Sequence, residues 1–131
     1  MSPSGPIRPR RIPTVLVVED DNAIRTTIVE FLEFEGYSVG SASNGREAIE
    51  VVSQGTPRVI LVDVRMPVMN GVEFARTLRD RNITIPLVVM TAAPEDRHWA
   101  ASIGAVTFLA KPFDLVDLGA LLKSVLAGKE L

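Results

Sequence analysis

Short apolar runs alternate with segments of helical periodicity along most of this 131-residue chain. The runs are rich in β-branched residues and predict strands at residues 14–18, 38–42, 59–62, 87–90 and 106–109. Three of these runs are continuously apolar, as expected of strands that helices cover on both faces. The second run is more polar than the others, so we expect it at an edge of the sheet.

Apolar residues at helical spacing predict a helix between successive strands and another after the last strand. The first helix is outlined by apolar side chains from Ile24 to Phe34. The second is expected at residues 46–53, and the third is outlined by the apolar positions of residues 72–78. The alternation of strand and helix is the pattern of an α/β fold with a parallel sheet.

The last two helices carry acidic residues at their predicted starts. The fourth is expected to open near Pro94, because proline suits the first helical turn and Glu95 and Asp96 follow it. The fifth is expected to open at Asp114, with Asp117 three positions on in the manner of a capping box. Five strand and helix units with right-handed crossovers predict a doubly wound α/β domain, whose ligand site lies outside the carboxyl ends of the strands.

Residues that could do chemistry stand at the carboxyl ends of four of the predicted strands. In chain order, these residues are Glu19 and Asp20, then Asp63, then Thr91, and finally Lys111. If the four strands are neighbours in the sheet, the five residues converge on one rim. Carboxylates, one hydroxyl and one ammonium would then form a compact polar site.

Each of these residues also has an inert explanation. The three acids at residues 19–21 repel one another, and they either cap the following helix as solvated groups or bind a hard divalent cation. Asp63 also suits a turn, Thr91 a helix cap, and Lys111 a solvated or paired cation. Their joint placement at four strand ends favours a functional site over separate structural roles.

The composition indicates one soluble globular domain. The chain is 47% hydrophobic and 23% charged with a formal charge of -2, so no strong field attracts nucleic acid or an acidic membrane. The absence of cysteine excludes disulfides, thiolate zinc sites and cysteine nucleophiles. No apolar run is long enough to cross a bilayer and no secretion signal is recognisable, so the cytoplasm is the expected location.

Residues 1–13 hold four prolines and three arginines but little apolar material, which predicts an extended or mobile tail. Their basic character is also compatible with a contact to a partner. The domain is expected to cover residues 14–127, with residues 128–131 as a short C-terminal tail and no output domain after it. The chain is then either a stand-alone protein or a piece of a longer one.

Five motifs carry a family resemblance: VLVVEDD, LVDVRMPVMNG, VVMTA, ASIGA and FLAKPF, in this order along the chain. With these motifs, residues 14–127 resemble a response-regulator receiver domain of two-component phosphorelay signalling. The DxxMPxMxG form of residues 63–71 is itself specific. The resemblance implies a flavodoxin-like (βα)5 domain with a five-stranded parallel sheet in the order 2-1-3-4-5.

The resemblance implies a phosphoacceptor site that works with Mg²⁺. Asp63 occupies the phosphoacceptor position, which takes a phosphoryl group from a phosphohistidine of a histidine kinase or histidine phosphotransfer protein. Glu19 and Asp20 occupy the family's acidic pair; Asp20 and Asp63 would ligate the metal directly, and Glu19 through water. The backbone carbonyl of Arg65 would be a further ligand, whereas Asp21 falls outside the pair and is expected to cap the first helix.

The resemblance also implies a conformational switch. Thr91 and Lys111 would hold the phosphoryl oxygens, and the Lys111-Pro112 bond is expected to be cis. Phosphorylation would draw the Thr91 hydroxyl inward, and Phe108, at the aromatic switch position, would rotate into the vacated space. The local event would thereby reach an output face made by the fourth helix, the fifth strand and the fifth helix.

A few positions depart from the commoner family pattern or have no set role. Phe108 stands where many members carry tyrosine, so a hydrogen bond of that hydroxyl is lost. Arg65 and Ala93 occupy positions that, in the family it resembles, tune how fast the phosphoryl group is lost to water. His98 is expected to be exposed rather than catalytic. Trp99 is expected either as a partly exposed anchor on the output face or as a core residue.

Two functions fit these residues. The first is a switch that catalyses only its own phosphorylation and autodephosphorylation at Asp63, and is therefore not an enzyme that turns over a metabolite. The second is a binding-only receiver, controlled by protein contacts without phosphorylation. An aspartate-nucleophile phosphatase is disfavoured because Arg65 stands where such enzymes place a second acid. A flavodoxin-type cofactor protein is disfavoured because the turn after the first strand carries acids, where a phosphate-binding loop would have glycine and hydroxyl groups.

The expected partners follow from the same resemblance. They are a histidine kinase or histidine phosphotransfer protein and a downstream protein target, whose identity the sequence does not give. Direct DNA binding by this chain and membrane association are not expected. Phosphorylation-dependent homodimerisation through the output face is left open.

Overall fold

The computed structural model describes residues 12–128, in which five parallel strands form one sheet. The strands are β1 (Val15–Val18), β2 (Val39–Ala42), β3 (Val59–Asp63), β4 (Leu87–Thr91) and β5 (Thr107–Ala110). Their order is β2-β1-β3-β4-β5, which confirms the predicted topology and the edge position of β2. Most of the two predicted tails, residues 1–13 and 128–131, lies outside the described residues.

The helices alternate with the strands as the periodicity predicts. They are α1 (Asn22–Phe34), α2 (Gly45–Ser53), α3 (Gly71–Asp80), α4 (Arg97–Ser102) and α5 (Leu115–Leu126). The fourth segment opens at Pro94 as expected, but its first turn, Pro94–Asp96, is a 3₁₀ turn and the α-helix begins only afterwards. Within residues 12–128, no helix is both long enough and apolar enough to span a bilayer.

Alternate side chains of the central strands enter two separate cores. Leu16 and Ile60 belong to the core that α2, α3 and α4 cover, whereas Val17 and Leu61 belong to the core under α1 and α5. All four of these side chains are completely buried. The continuous apolar runs of the sequence therefore arise because each central strand is buried on both faces.

The apolar face of α1 is narrower than the sequence analysis predicts. Ile28 and Leu32, one helical turn apart, are buried, but Phe34 is 86% exposed. Since Phe34 follows Leu32 by two residues, it lies about 200° around the helix, on the side away from the sheet. Helical spacing alone did not separate the core positions from this exposed aromatic.

The capping box predicted for α5 is wrong. Asp114 is the N-cap residue with extended backbone, but its side chain makes no hydrogen bond to the first turn. Asp117 at the third helical position is one methylene shorter than the glutamate that such a box uses, so it does not reach back to the cap.

The capping box lies instead at α3, immediately after the β3–α3 loop. The Asn70 side chain accepts from the Glu73 backbone at 2.9 Å, and the Glu73 carboxylate accepts from the Asn70 backbone at 3.1 Å. We expect Asn70→Ala to lower the free energy of unfolding by about 1 kcal/mol, because it removes the side-chain oxygen that accepts from the Glu73 backbone N–H. Urea denaturation measures the loss.

Asp114→Ala is the matched control for this prediction, since it removes an N-cap side chain that makes no cap bond. It is expected to change the free energy of unfolding by only a few tenths of a kcal/mol, through the helix dipole. Equal losses in the two variants would contradict the assigned role of Asn70.

Candidate functional site

The predicted polar residues meet at the carboxyl edge of the sheet. β1 is followed by Glu19 and Asp20, β3 ends in Asp63, β4 ends in Thr91, and β5 leads into Lys111. Since β1, β3, β4 and β5 are successive neighbours in one parallel sheet, all four ends face the same rim. The four strands are therefore adjacent, as the predicted convergence of these residues requires.

Three carboxylates form the acidic part of this rim. One oxygen each from Glu19, Asp20 and Asp63 lie within 4.8 Å of one another. Glu19 is 1% exposed and Asp63 is 6% exposed, whereas Asp20 is open to solvent. Clustered carboxylate oxygens at a partly open edge suit Mg²⁺, which prefers oxygen ligands and keeps several waters. The donor set thus fits the expected metal.

The third acid of the run has a separate task. The Asp21 side chain caps α1, accepting from the Ile24 backbone at 2.9 Å. The two explanations of residues 19–21 in the sequence analysis therefore apply to different residues: Asp21 caps the helix, and Glu19 and Asp20 face the cluster with Asp63.

Lys111 is the cation of the site. Its Nζ donates to Glu19 Oε1 at 2.5 Å and to Asp63 Oδ2 at 3.1 Å, so it bridges two of the three acids. Burial raises the pKa of Glu19 to about 7, with a further rise from the nearby Asp63 charge, and the Lys111 hydrogen bond opposes this rise. Burial opposes the charge of Lys111 as well, but its bonds to the two acids raise its pKa. The Lys111-Pro112 bond is cis, which confirms that expectation.

Backbone groups hold the acids in place. The Asp21 backbone N–H donates to Glu19 Oε2 at 3.1 Å, and the Arg65 backbone N–H donates to Asp63 Oδ1 at 3.3 Å. The Arg25 guanidinium donates to the Glu19 carbonyl at 2.7 Å, a support that lies six residues away along the chain. The sequence analysis did not identify Arg25, because its position in the helical pattern is that of an ordinary surface residue of α1.

The loop after Asp63 packs closely against the strand that carries it. A Cβ on Gly71 would lie 2.5 Å from the Asp63 carbonyl oxygen, so only glycine fits there without a shift of backbone. The Gly71 backbone also donates to the Val64 carbonyl at 3.0 Å. The β3–α3 loop therefore ends in close contact with the backbone of Asp63 and Val64.

Thr91 lies at this rim, but its hydroxyl is bonded to a residue that the sequence analysis did not select. The hydroxyl donates to Asp96 Oδ2 at 2.7 Å, and the Arg65 side chain donates to both Asp96 oxygens at 3.1 Å. Asp96 is 3% exposed. Burial acts to raise its pKa, but the hydrogen bonds from Arg65 and Thr91 hold the pKa below its ordinary value.

The predicted switch aromatic and its neighbours lie beside α4. Phe108 is half-buried, and the Arg97 guanidinium stacks over its ring, 4.7 Å from the centroid. His98 is exposed, as expected, and Trp99 is 43% exposed, which favours the surface position over the core position. Of the two positions that the sequence left open for Trp99, the structure shows the partly exposed one, on α4.

An apolar groove adjoins the site on the side of α1. It is lined by Ile24 and Thr27 from the helix and by Lys111, Pro112 and Phe113 from the segment after β5. The groove opens next to the lysine that bridges the buried acids. A protein that approached Asp63 from this side would contact apolar surface beside the charged rim.

Comparison with known proteins identifies one family. The sequence model of the family described as "Response regulator receiver domain" matches residues 15–123. The response regulator MprA of Mycolicibacterium vanbaalenii is 38% identical over 114 residues, which cover 86% of this chain and 49% of that protein. The chain therefore spans about half the length of the curated relatives it matches.

Solved structures agree with this match. The chemotaxis protein CheY4 of Vibrio cholerae is 35% identical, with a TM-score of 0.79 over 85% of this chain and 96% of that chain. The response regulator TrrA of Thermotoga maritima, solved in complex with Mg²⁺ and BeF, is 30% identical, with a TM-score of 0.76 over 85% of this chain and 96% of that one.

Proposed function

The chain belongs to the response regulator receiver domain family, and we propose that it is a phosphoacceptor switch that takes a phosphoryl group onto Asp63. The donor is a phosphohistidine of a kinase or phosphotransfer protein, and residues 14–127 are the functional unit. The observation that supports this most directly is the cluster of Glu19, Asp20 and Asp63 bridged by Lys111 at the carboxyl edge.

Mg²⁺ is the proposed cofactor. Asp20, Asp63 and the backbone carbonyl of Arg65 would hold it directly, and Glu19 through water. When bound, it supplies positive charge to the phosphoryl oxygens, which is the main requirement of phosphoryl transfer. The TrrA receiver that carries Mg²⁺ and BeF supports this assignment by similarity.

The residues around Asp63 are arranged for nucleophilic attack. Its Oδ1 accepts from the Arg65 backbone and its Oδ2 from Lys111, so both oxygens are oriented before a donor arrives. Attack on phosphorus forms an acyl phosphate and breaks the bond to the donor imidazole, which keeps the bond's electron pair. Lys111, which already contacts the carboxylate, balances the charge on the transferred group. No metabolite is turned over.

The proposed donor-binding surface is the apolar groove between α1 and the segment after β5. A protein that presents a phosphohistidine to Asp63 must cover the rim and exclude water from it. The groove provides apolar contact area beside Lys111, with Ile24 37% exposed on its α1 side. Donor and receiver would thus dock through apolar contacts and react at the charged edge.

The proposed output is a change of the face formed by α4, β5 and α5. Thr91 would turn its hydroxyl to the phosphoryl group, and Phe108 would follow into the space that becomes free. Trp99 and Val106 supply exposed apolar surface on this side for a downstream protein or a second copy of the chain.

Titration of the protein with Mg²⁺ and beryllofluoride, which mimics an aspartyl phosphate, tests the proposal. We expect amide NMR shifts at Asp63, Thr91 and Lys111 that extend to Phe108 and Trp99, because the first three surround the phosphoryl position and the last two lie on the output face. Shifts confined to the rim would indicate a phosphoacceptor with weak coupling to that face. The absence of shifts in the folded protein would favour the binding-only receiver.

A further inference from the structure

Asp96 connects two residues of the site that are far apart in sequence. Its carboxylate accepts from the Thr91 hydroxyl at 2.7 Å and from Arg65 Nε and Nη2, each at 3.1 Å. The Arg65 backbone also donates to Asp63, so one residue contacts both the proposed phosphoacceptor and the acid that holds Thr91. We call the side chains of Arg65, Asp96 and Thr91 the resting clasp.

The resting clasp occupies the only proton that the Thr91 side chain can donate. A hydroxyl has one O–H, and that of Thr91 is directed at Asp96. The oxygen also accepts from the Ala93 backbone at 3.1 Å. Thr91 therefore cannot donate to a phosphoryl oxygen on Asp63 while the clasp is closed.

The bonds of the clasp are of the stronger kind. Each involves a charged group, and the Arg65 fork meets the carboxylate through two donors. Asp96 is almost completely buried, so its charge depends on these partners for compensation. Opening the clasp therefore costs free energy, which the interactions of the phosphorylated state must offset.

We propose that Asp96 and Arg65 are positioning residues that restrain the Thr91 hydroxyl in the resting state and thereby oppose the phosphorylated state. The inference rests on the proposed function, since it assumes that Thr91 moves to a phosphoryl group on Asp63. Asp96 acts through Thr91, and it is not one of the groups that contact the phosphoryl group.

The clasp also has a direct connection to the output face. Asp96 is the residue before α4, whose first residue, Arg97, stacks over Phe108. Release of Thr91 removes one of the contacts that fix Asp96 at the start of this helix. The same event that frees the hydroxyl thus loosens the attachment of α4 beside the switch aromatic.

The test is the affinity for beryllofluoride in the presence of Mg²⁺, measured by amide NMR titration. Asp96→Ala removes the resting acceptor, so the dissociation constant is expected to fall by about ten-fold. Asp96→Asn retains a neutral acceptor, so its effect should be intermediate. Before any ligand is added, the Ala93 amide of both variants should already shift toward its position in the liganded wild type, since its N–H bonds to Thr91.

Two controls separate positioning from general effects. Glu95→Gln removes one negative charge from the same turn, at an exposed side chain 3.8 Å from Arg65, and should leave the affinity unchanged within two-fold. In a Thr91→Ala background, Asp96→Ala should no longer tighten binding, because this background lacks the hydroxyl through which Asp96 acts.

The inference is overturned if a folded Asp96→Ala binds beryllofluoride as tightly as the wild type, or more weakly. If neither Asp96 variant folds, the Asp96 carboxyl ¹³C resonance of the wild type decides: it must move when beryllofluoride binds, and a fixed resonance contradicts the clasp. Failure of the wild type itself to bind beryllofluoride overturns the proposed function, and this inference with it.

Discussion

Asp63→Asn is expected to abolish phosphate incorporation from a small phosphodonor such as acetyl phosphate in the presence of Mg²⁺. The amide cannot act as the nucleophile, and it removes one of the three clustered carboxylates. Because the side chain keeps its size and can still accept from the Arg65 backbone, the fold should persist. Intact-protein mass spectrometry measures the incorporation, and the amide NMR spectrum verifies the fold.

Asp80→Asn is the matched control for this experiment. Asp80 is an exposed acid at the end of α3, so the variant has the same change in charge at a site remote from the sheet edge. It should incorporate phosphate as the wild type does. Incorporation that persists in Asp63→Asn would contradict the proposal and direct attention to Glu19 and Asp20, the other acids of the cluster.

The site could be predicted from the sequence to a large extent because its members are tied to strand ends. A run such as VILV followed by Asp63 places the acid at the end of a buried strand, and parallel pairing brings the other strand ends to the same edge. Glu19, Thr91 and Lys111 were selected in the same way, and all lie at this rim. Local pattern sufficed here because the backbone topology carries the long-range information.

The resting clasp could not be predicted from the same reasoning. Asp96 follows a proline at a helix start, where acids are common because of the helix dipole, so the local pattern gave it an ordinary explanation. Its actual partner, Arg65, is separated from it by 31 positions and lies in a different loop. Only the packing of the β3–α3 loop against the turn before α4 brings the two together.

The exposed position of Phe34 shows a second limit of the sequence. Apolar periodicity indicates which residues could face a core, but the width of the buried stripe depends on how closely α1 packs on the sheet and on α5. A protein with so many apolar side chains always leaves some of them at the surface. The burial of each apolar side chain of α1 therefore depends on tertiary packing that the local pattern does not contain.

Lys111→Met is expected to slow phosphorylation of Asp63 by about 10²- to 10³-fold, the usual effect of removing one preorganised group that stabilises developing charge. Methionine keeps an unbranched apolar stem along the groove with Pro112 and Phe113, so the packing changes little. The three carboxylates remain, and Mg²⁺ binding should therefore persist. The rate is measured by rapid quench with acetyl phosphate, and Mg²⁺ binding by the amide shifts of Asp20 and Arg65.

Lys123→Met provides the control, because Lys123 is an exposed lysine of α5 and its loss changes the net charge equally.

The pair of variants separates two roles that the resting geometry combines in one side chain. Lys111 neutralises Glu19 and Asp63 in the absence of a phosphoryl group, and it is placed to balance charge during transfer. If Lys111→Met is folded, binds Mg²⁺ and is phosphorylated at the wild-type rate, the first role is its only one. A slow variant that still binds Mg²⁺ assigns the second role as well, because the metal site would then be intact while the transfer is impaired.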